Sequence, residues 1–459
     1  MKHHLTLIAP LVTLLLIAAA PDGKPKGEGK GGGKGGAGAG GQVEPAVVPP
    51  YLFNVWLCRP GADSVTVSVL AWEDMDAFIE YGSPPQSTAA MKLKAGAPQN
   101  VVLEGLKPDT TYNYRLTYRR AGGGTVQDVM RSFHTQRKPG TSFRFVMQAD
   151  SHLDNNTDVR VYQQTLANML ADKPDFMIDL GDTTMVDKFG QFFRRSESQY
   201  KAQRYYMGSI AHSVPIFMVL GNHDGERGER LDMAEWSLGM RHAYFPNPAD
   251  GNDKHSYFAF EWGNALIIGL DPFWATTERG ASGWGMTLGE TQYRWLAKTL
   301  AGSKATLRFV FIHHLVGGLG RDARGGAKTA ALMEWGGRNA DGSEGFRQNR
   351  PGWETPIHQL LVKNHVNVVF HGHDHLFVKE ELDGIIYQEV PQPGHPSGGT
   401  RSAEEYGYSG VILGSSGHLR VSVEANDAKV DYVRSIVPGV TRADTENGTV
   451  EHSYSVRPR

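Results

Sequence analysis

The segment IFMVLGNHD, residues 216–224, contains the pattern that decides the fold. Its first five residues are all apolar, which is typical of a strand buried on both faces in a sheet covered by helices. The run stops at a glycine followed by Asn222, His223 and Asp224. In layered α/β folds, functional groups gather beyond the carboxyl ends of the strands. The segment therefore predicts an α/β fold with a polar site at this strand end.

The same pattern, an apolar run that stops at potential metal ligands, occurs four more times. Segments with apolar residues at three- and four-residue spacing lie between the runs and predict helices. The four runs are 143–147 before Asp150 and His152, 176–180 before Asp182, 307–312 before His313 and His314, and 366–370 before His373 and His375. Five strand ends are thus predicted to converge on one site.

The residue types at these strand ends suit a pair of metal ions. Carboxylate, carboxamide and imidazole donors together favour Zn, Fe, Mn or Co over Ca, which prefers oxygen ligands alone. Two such ions about 3.5–4 Å apart can clamp a phosphate, activate water and neutralise the displaced oxygen. We expect two divalent or trivalent ions, with iron, zinc and manganese as the leading candidates.

Residues 46–138 show a different pattern, in which short alternating runs are separated by turn residues. Examples are SVTVSV at 64–69 and YNYRLTY at 112–118, and period-two alternation predicts an antiparallel β-sandwich. In GLKPDTTY, residues 105–112, Tyr112 resembles the tyrosine corner of fibronectin type III modules, where a tyrosine hydroxyl ties the corner to upstream backbone. We expect an immunoglobulin-like or fibronectin type III-like domain here.

The ordered motifs resemble those of the calcineurin-like metallophosphoesterase superfamily over about residues 142–433. They are D-x-H at 150–152, G-D at 181–182, G-N-H-D at 221–224, His313 and G-H-x-H at 372–375. The resemblance implies an αββα metallophosphoesterase domain over residues 141–437 that hydrolyses phosphate esters by in-line attack of metal-bound hydroxide. With a β-sandwich in front, the arrangement is similar to that of purple acid phosphatases.

Carried over position by position, the resemblance implies a role for each motif residue. Asp182 would bridge the two ions. His223 would not bind metal but would contact the phosphate or protonate the leaving oxygen, and Asp224 would orient its ring. The remaining ligands would be Asp150, His152 and His375 for one ion, and Asn222, His313 and His373 for the other.

Two positions require a choice within this pattern. His313 is favoured as the ligand because it follows the strand as in the family's V-x-x-H motif, and the adjacent His314 is the alternative. Purple acid phosphatases place a tyrosine three residues after the bridging aspartate, and its bond to ferric iron gives the colour; here that residue is Met185. We therefore expect no purple charge-transfer band and no requirement for ferric iron.

The N-terminal residues predict export. Residues 1–20 combine Lys2, an apolar run and three alanines, as in a secretory signal peptide, and residues 21–45 read as a Gly/Lys-rich flexible linker. No later segment resembles a transmembrane span. We expect a secreted, periplasmic or cell-envelope protein. The lone cysteine, Cys58, excludes an intramolecular disulfide.

The overall charge argues against a nucleic-acid partner. The formal net charge is −2, whereas binding a phosphate backbone requires basic patches. A small phosphate ester is the expected partner, and no feature of the sequence indicates an oligomeric state.

The sequence also predicts the structural character of two segments outside the motifs. Residues 438–459 are predicted to be a C-terminal tail. The long Gly-rich segment 316–352 is either a lid with a phosphate-binding arginine or a solvated mobile loop. Its arginines are Arg321, Arg324, Arg338, Arg347 and Arg350.

Three functions are compatible with these motifs. A phosphomonoesterase is favoured, and a phosphodiesterase acting on cyclic nucleotides or other diesters is the alternative within enzymes. A non-catalytic, metal-bound receptor or adhesion protein is the alternative from another class. The intact segment 222–224 argues against the receptor, because a silent metal site has no need of the non-ligand His223.

Overall fold

The structure is a computed structural model that describes residues 47–248, 256–320, 322–441 and 445–459. The predicted signal peptide and linker, 1–45, lie outside the described residues. Within the described part of the chain, no helix combines the length and the hydropathy needed to cross a bilayer. All described residues belong to one compact unit, Gly40–Arg459.

Residues 53–134 form two antiparallel sheets with a core between them. The strands are β1 (Phe53–Cys58), β2 (Val65–Ala71), β3 (Met75–Tyr81), β4 (Gln86–Ser87), β5 (Met91–Leu93), β6 (Gln99–Leu103), β7 (Thr111–Arg120), β8 (Thr125–Gln127) and β9 (Arg131–His134). One sheet has the order β1-β2-β6, and the other contains the remaining six strands. Alternation along these strands buries Val67, Ile79 and Leu116 in one shared core.

The predicted tie at Tyr112 is present at the corner before β7. The backbone N–H of Lys107 donates a hydrogen bond to the Tyr112 hydroxyl oxygen over 2.8 Å. The β-sandwich is therefore observed, and its relation to fibronectin type III modules stays a prediction.

The rest of the chain alternates strands and helices. The strands are β10 (Phe143–Gln148), β11 (Phe176–Asp179), β12 (Ile216–Met218), β13 (Phe258–Trp262), β14 (Ala265–Gly269), β15 (Leu307–Phe311), β16 (Val368–His371), β17 (Phe377–Leu382), β18 (Ile385–Glu389), β19 (Val411–Leu413), β20 (Gly417–Val423), β21 (Ala428–Arg434) and β22 (Val450–Val456). The helices are α1 (Val159–Ala171), α2 (Glu197–Ala211), α3 (Leu231–Tyr244), α4 (Gly289–Gly302), α5 (Met333–Gly336), α6 (Phe346–Asn349) and α7 (Ile357–Lys363). Three 3₁₀ segments are Val186–Ser196, Gly283–Gly285 and Thr329–Ala331.

These strands form two sheets that pack face to face. One has the order β12-β11-β10-β20-β21-β22 and the other β13-β14-β15-β16-β18-β17-β19. Apolar side chains of both sheets share one core, in which the rings of Phe145 and Phe309 lie 5.8 Å apart. Leu166 of α1 packs on the outer face of the first sheet, and Leu296 of α4 on that of the second. The predicted αββα sandwich is thus confirmed.

The strands that precede the motif residues are parallel to their neighbours in each sheet. In the first sheet β10, β11 and β12 are parallel neighbours, and in the second β14, β15 and β16 are parallel neighbours. Because parallel strands end at the same edge of a sheet, the loops after them gather in one place.

The prediction of a C-terminal tail over residues 438–459 is wrong for Val450–Val456. Strand β22, Val450–Val456, pairs antiparallel with β21 at the edge of the first sheet. The Tyr454 hydroxyl also donates a hydrogen bond to Gln388 Oε1 over 2.9 Å. The sequence signal is weak because an edge strand with a largely solvated face needs few apolar residues.

One buried arginine joins the β-sandwich to the α/β part. Arg204 on α2 is fully buried, and its guanidinium binds Asn54 Oδ1 at 2.9 Å, Ser68 Oγ at 2.9 Å and the Tyr244 carbonyl at 2.8 Å. Burial lowers the pKa of Arg204 to about 10. Among the described residues the guanidinium has no carboxylate partner, so these neutral acceptors stabilise the charge at the interface.

We predict that Arg204→Ala destabilises the protein by about 2–4 kcal/mol, because it leaves several buried acceptors unpaired and opens a cavity. Thermal unfolding should show a lower midpoint. Arg294→Ala is the control, since Arg294 is exposed on α4 and pairs with the exposed Glu290 one turn earlier. Equal midpoints for the two variants would contradict a role for Arg204 at this interface.

Candidate metal centre

The loops after five strands bring the motif residues together. Asp150 and His152 follow β10, and Asp182 follows β11. The other loops carry Asn222 and His223 after β12, His313 after β15, and His373 and His375 after β16. The side chains form two adjacent groups, each of one aspartate and two histidines, whose potential ligand atoms lie within 4.8 Å of one another. The convergence predicted from the strand ends is therefore observed.

The first group, cluster A, comprises Asp150, His152 and His375. Asp150 Oδ1 lies 3.7 Å from His152 Nε2 and 3.5 Å from His375 Nε2. Asp150 and His152 are buried, whereas the His375 side chain is 32% exposed. Cluster A is therefore open to solvent only on the side of His375.

The second group, cluster B, comprises Asp182, His313 and His373. Its distances are 3.4 Å from His313 Nε2 to Asp182 Oδ2 and 3.2 Å from His313 Nε2 to His373 Nδ1. Asn222 joins this group, since its Oδ1 lies 3.1 Å from His313 Nε2.

Asp182 lies between the two clusters. Its Oδ2 is 3.6 Å from His152 Nε2 of cluster A and 3.4 Å from His313 Nε2 of cluster B. One carboxylate atom is thus within reach of donors from both sides, as a bridging ligand requires.

The backbone at these positions adopts a conformation that side chains other than glycine seldom take. The residues with positive φ include Asp150 at 60°, His152 at 52°, Asp182 at 53°, His373 at 85° and His375 at 62°. Such left-handed residues cost free energy and persist where the surrounding structure holds them in place. Their concentration here indicates that the loops are shaped to point these side chains inward.

A close approach of two loops explains one of the motif glycines. A Cβ atom added at Gly221 would lie 2.0 Å from the backbone nitrogen of Asp182. Only glycine allows the β11 and β12 loops to touch at this point. The glycine of G-N-H-D therefore positions Asp182.

Backbone carbonyls and a carboxylate orient three of the imidazoles. His313 Nδ1 lies 2.8 Å from the Leu180 carbonyl, and His373 Nε2 lies 2.6 Å from the Asp322 carbonyl. His152 Nδ1 lies 3.3 Å from Asp154 Oδ2. Each contact engages the ring nitrogen that faces away from the cluster, which leaves the opposite nitrogen free as a ligand.

Two unpaired buried atoms test whether these residues fit metal ions. Asp150 Oδ1 and His152 Nε2, both in cluster A, are buried and have no hydrogen-bond partner among the described residues. Buried polar atoms without partners are rare, and a metal ion is one of the few groups that would satisfy a carboxylate and an imidazole at once. The atoms fit a cation of the Zn, Fe or Mn type, which accepts mixed nitrogen and oxygen ligands.

The attraction between the buried carboxylates and the imidazoles sets the protonation of the two clusters. Burial raises the pKa of Asp150, but the His375 and His152 rings outweigh it and hold that pKa well below its usual range. Burial lowers the pKa of His313, but Asp182 outweighs it and raises that pKa to about 9. Metal binding must therefore displace protons from imidazoles, so that affinity weakens as the pH falls.

His223 lies beside Asp182, but the carboxylate that contacts its ring differs from the predicted one. Its Nε2 is 3.8 Å from Asp182 Oδ2, and its Nδ1 lies 3.0 Å from both carboxylate oxygens of Asp187. The predicted orienting contact from Asp224 is wrong, and Asp187 makes that contact instead. Asp187 lies at the start of the 3₁₀ segment Val186–Ser196, five residues after Asp182. No motif in the sequence marks this position.

Asp224 instead holds the loop that carries Asp182. Its buried carboxylate accepts hydrogen bonds from the backbone N–H groups of Gly221, Asp182, Thr183 and Thr184 at 2.7–3.0 Å. Burial and the neighbouring Asp182 charge raise its pKa. Asp224 is therefore a positioning residue for Asp182 and does not touch the ring of His223.

The adjacent histidine and Met185 lie outside the two clusters. His314 is buried, its Nδ1 lies 3.2 Å from the Leu315 carbonyl, and burial with the neighbouring His313 lowers its pKa to about 3. The backbone N–H of Met185 donates to Gln199 Oε1 over 2.6 Å. The geometry thus favours His313 over His314 as the ligand.

Two arginines in the described part of segment 316–352 bind other protein groups, and one of them contacts the loop of the centre. Arg324 donates to the His373 carbonyl at 2.7 Å and to Asp374 Oδ1 at 2.8 Å. Arg350 binds the buried Glu334 carboxylate at 2.5 Å. Both guanidinium groups are therefore occupied by protein atoms. Arg321 lies outside the described residues.

Three supporting residues were missed by the sequence analysis. Asp154 follows His152 by two residues, which is a local signal that could have been used. Asp187 and the Asp322 carbonyl contact rings from distant parts of the chain, and neither contact has a signature in the sequence. Supporting contacts of this kind depend on loop geometry.

Comparison with known proteins gives relatives over this region. The family model for calcineurin-like phosphoesterases matches residues 143–377, just over half of the chain. Purple acid phosphatase 13 of Arabidopsis thaliana is 22% identical over 209 residues, which cover 40% of this chain and 37% of that protein. Purple acid phosphatase 23 of the same plant is 19% identical over 238 residues, 48% of each chain. The chain spans less than half the length of these curated relatives.

Two solved structures share the fold. Purple acid phosphatase PPD1 from yellow lupin (Lupinus luteus) seeds has a TM-score of 0.59 at 17% identity, covering 87% of this chain and 73% of that one. PhoD has a TM-score of 0.61 at 14% identity, covering 88% of this chain and 91% of that one. At such identities the likeness shows the fold alone. The family model and the two metal-ligand clusters lead to one conclusion: the chain belongs to the calcineurin-like phosphoesterase family.

Proposed function

We propose that the protein is a dinuclear-metal phosphoesterase that acts on phosphate monoesters. The observation that carries the proposal is the position of the Asp182 carboxylate between two Asp/His clusters, with His223 beside it. When bound, the two cations would lower the pKa of water and neutralise charge on the phosphate. Cluster A would hold one ion, cluster B with Asn222 the other, and Asp182 both.

His223 is proposed to supply the proton for the leaving alcohol. The contact with Asp187 places the Nδ1–H toward the carboxylate, so that Nε2 faces the centre. An imidazolium held this way can donate from Nε2 to the departing oxygen, and Asp187 stabilises its positive charge.

The preference for monoesters is supported by the names of the curated relatives, which are phosphatases. A phosphodiesterase would use the same ion pair and is the second candidate. Export is supported by residues 1–20 alone. A metal-bound receptor is the remaining alternative, and the His223–Asp187 pair argues against it because a silent site has no need of that pair.

A small ester panel tests the proposed activity. The metal-loaded protein should hydrolyse p-nitrophenyl phosphate with a higher kcat/KM than bis(p-nitrophenyl) phosphate or 3′,5′-cyclic AMP. Chelation should abolish turnover, and Zn, Mn or Fe should restore it. The opposite preference would favour the phosphodiesterase, and bound metal without turnover on any ester would favour the receptor.

We predict different outcomes for substitutions of Asp182 and His223. Asp182→Asn should reduce both metal content and activity, the latter at least about 10²-fold, because the bridging charge is lost. His223→Ala should reduce activity about 10²–10⁴-fold while both metals stay bound. Metal analysis beside steady-state kinetics checks this, with Asp427→Asn in an exposed turn as the control. Metal loss in the His223 variant would contradict its assignment as a non-ligand.

Substitutions of Asp187 and Asp224, the two aspartates near His223, should have different effects. Asp187→Asn should lower kcat about 10–10²-fold and leave the melting temperature unchanged, because only the orientation and charge of the ring suffer. Asp224→Asn should lower the melting temperature as well, because an amide NH₂ would oppose backbone N–H donors that the carboxylate now accepts. Identical effects in both measurements would argue against the assignment of separate roles.

A further inference from the structure

A cavity of about 1060 Å³ opens beside the metal centre and extends beyond it. Its wall contains Asn222 and His223 from the centre, followed by Arg227 on the same loop. This volume is larger than a phosphate group needs and lies at the upper limit of small-molecule sites. Arg227 therefore lines the same cavity as two residues of the centre.

Arg227 is held on a rigid turn. Next to it, the buried Glu226 pairs with Arg241 over 2.7 and 3.1 Å. On the other side, the N–H of Gly228 donates to the Phe273 carbonyl over 3.2 Å, and a Cβ added at Gly228 would lie 2.2 Å from the Trp274 carbonyl oxygen. Both flanking residues are thus fixed, which keeps Arg227 at one place in the wall.

The Arg227 guanidinium is only partly engaged by the protein. Its Nε lies 3.4 Å from Glu229 Oε1, and this nitrogen is buried without a hydrogen-bond partner. Glu229 Oε2 is itself occupied by the N–H of Gly280 at 2.9 Å. Within the described residues no hydrogen bond leaves the guanidinium, so its two terminal NH₂ groups are the donors that a ligand could use.

The other charged residues of the cavity wall are either engaged by a partner or balanced by one another. Asp187 is engaged by His223 and Glu229 pairs with Arg227, and the remaining charged residues of the wall are two arginines and two aspartates: Arg230, Arg279, Asp232 and Asp322. These four balance in formal charge, so together they give the wall no net preference for anions. Arg227 is the half-buried cation on the loop that also carries Asn222 and His223.

We propose that Arg227 binds non-bridging oxygens of the substrate phosphate and holds it against the metal centre, an inference that rests on the proposed function. A guanidinium presents paired N–H donors that match two phosphate oxygens, which a single ammonium cannot do. The same contact would bind inorganic phosphate, the product, so phosphate affinity reports on it without turnover.

The test uses the full-length, metal-loaded protein and its Arg227→Ala variant. Calorimetric titration with inorganic phosphate should show a Kd raised about tenfold or more, and KM for p-nitrophenyl phosphate should rise in parallel. Metal content and melting temperature should be unchanged. Arg294→Ala, an exposed arginine on α4, is the matched control and should equal the wild type.

Two further variants separate binding from a structural role. Arg227→Lys should recover part of the affinity, since it keeps the charge and loses the paired geometry. Glu229→Gln removes the ion-pair partner of Arg227 yet keeps an oxygen for the Gly280 N–H, so phosphate affinity should be kept or increased. If Arg227 only braced the turn through Glu229, Glu229→Gln would weaken phosphate binding as Arg227→Ala does.

The outcomes distinguish this inference from the proposed function. An Arg227→Ala variant with a wild-type Kd for phosphate, or a Glu229→Gln variant as weak as Arg227→Ala, would overturn the role of Arg227 alone. Should Arg227→Ala fail to fold, the comparison of Arg227→Lys with Glu229→Gln decides by the same criteria. A wild type that binds phosphate but turns over no ester would overturn the proposed function, and the titrations would still test Arg227.

Discussion

The buried carboxylate of Asp182 is the constraint on which the centre depends. An ionised group without solvent must be compensated by nearby positive charge or by hydrogen bonds. Here the compensation comes from one imidazole of each cluster and from His223, within 3.4–3.8 Å. Such an arrangement requires loops from distant parts of the chain to end at one point. The two sheets meet this requirement because their parallel strands end at a common edge.

Holding these loops in place costs free energy, which contacts in the surrounding structure offset. Several ligand-bearing residues have left-handed backbone, which is unfavourable for side chains other than glycine. The Asp224 carboxylate offsets this locally by binding a set of backbone N–H groups around Asp182. On the opposite side, Arg324 fixes the His373 loop through its carbonyl and Asp374. The centre is therefore preorganised by residues that lie outside the two clusters.

The β-sandwich belongs to the same packed unit as the α/β part. Trp56 and Leu70 of the sandwich share a hydrophobic cluster with α1 and α2, and Arg204 crosses the interface. Helix α2 also carries Gln203, which donates to the Thr183 carbonyl beside Asp182 at 2.6 Å. The sandwich therefore supports a helix that in turn contacts the loop of Asp182.

The sequence by itself determined the fold class and the convergence of the motif residues, because apolar runs that stop at potential ligands mark the ends of buried strands. It also separated the β-sandwich from the α/β part through the change of period. Tertiary structure alone decided that Asp187 rather than Asp224 contacts His223, that Val450–Val456 is a strand, and that Arg227 faces the cavity. Those features depend on contacts between residues far apart in the chain or on the shape of loops, and neither leaves a periodic signal in the sequence.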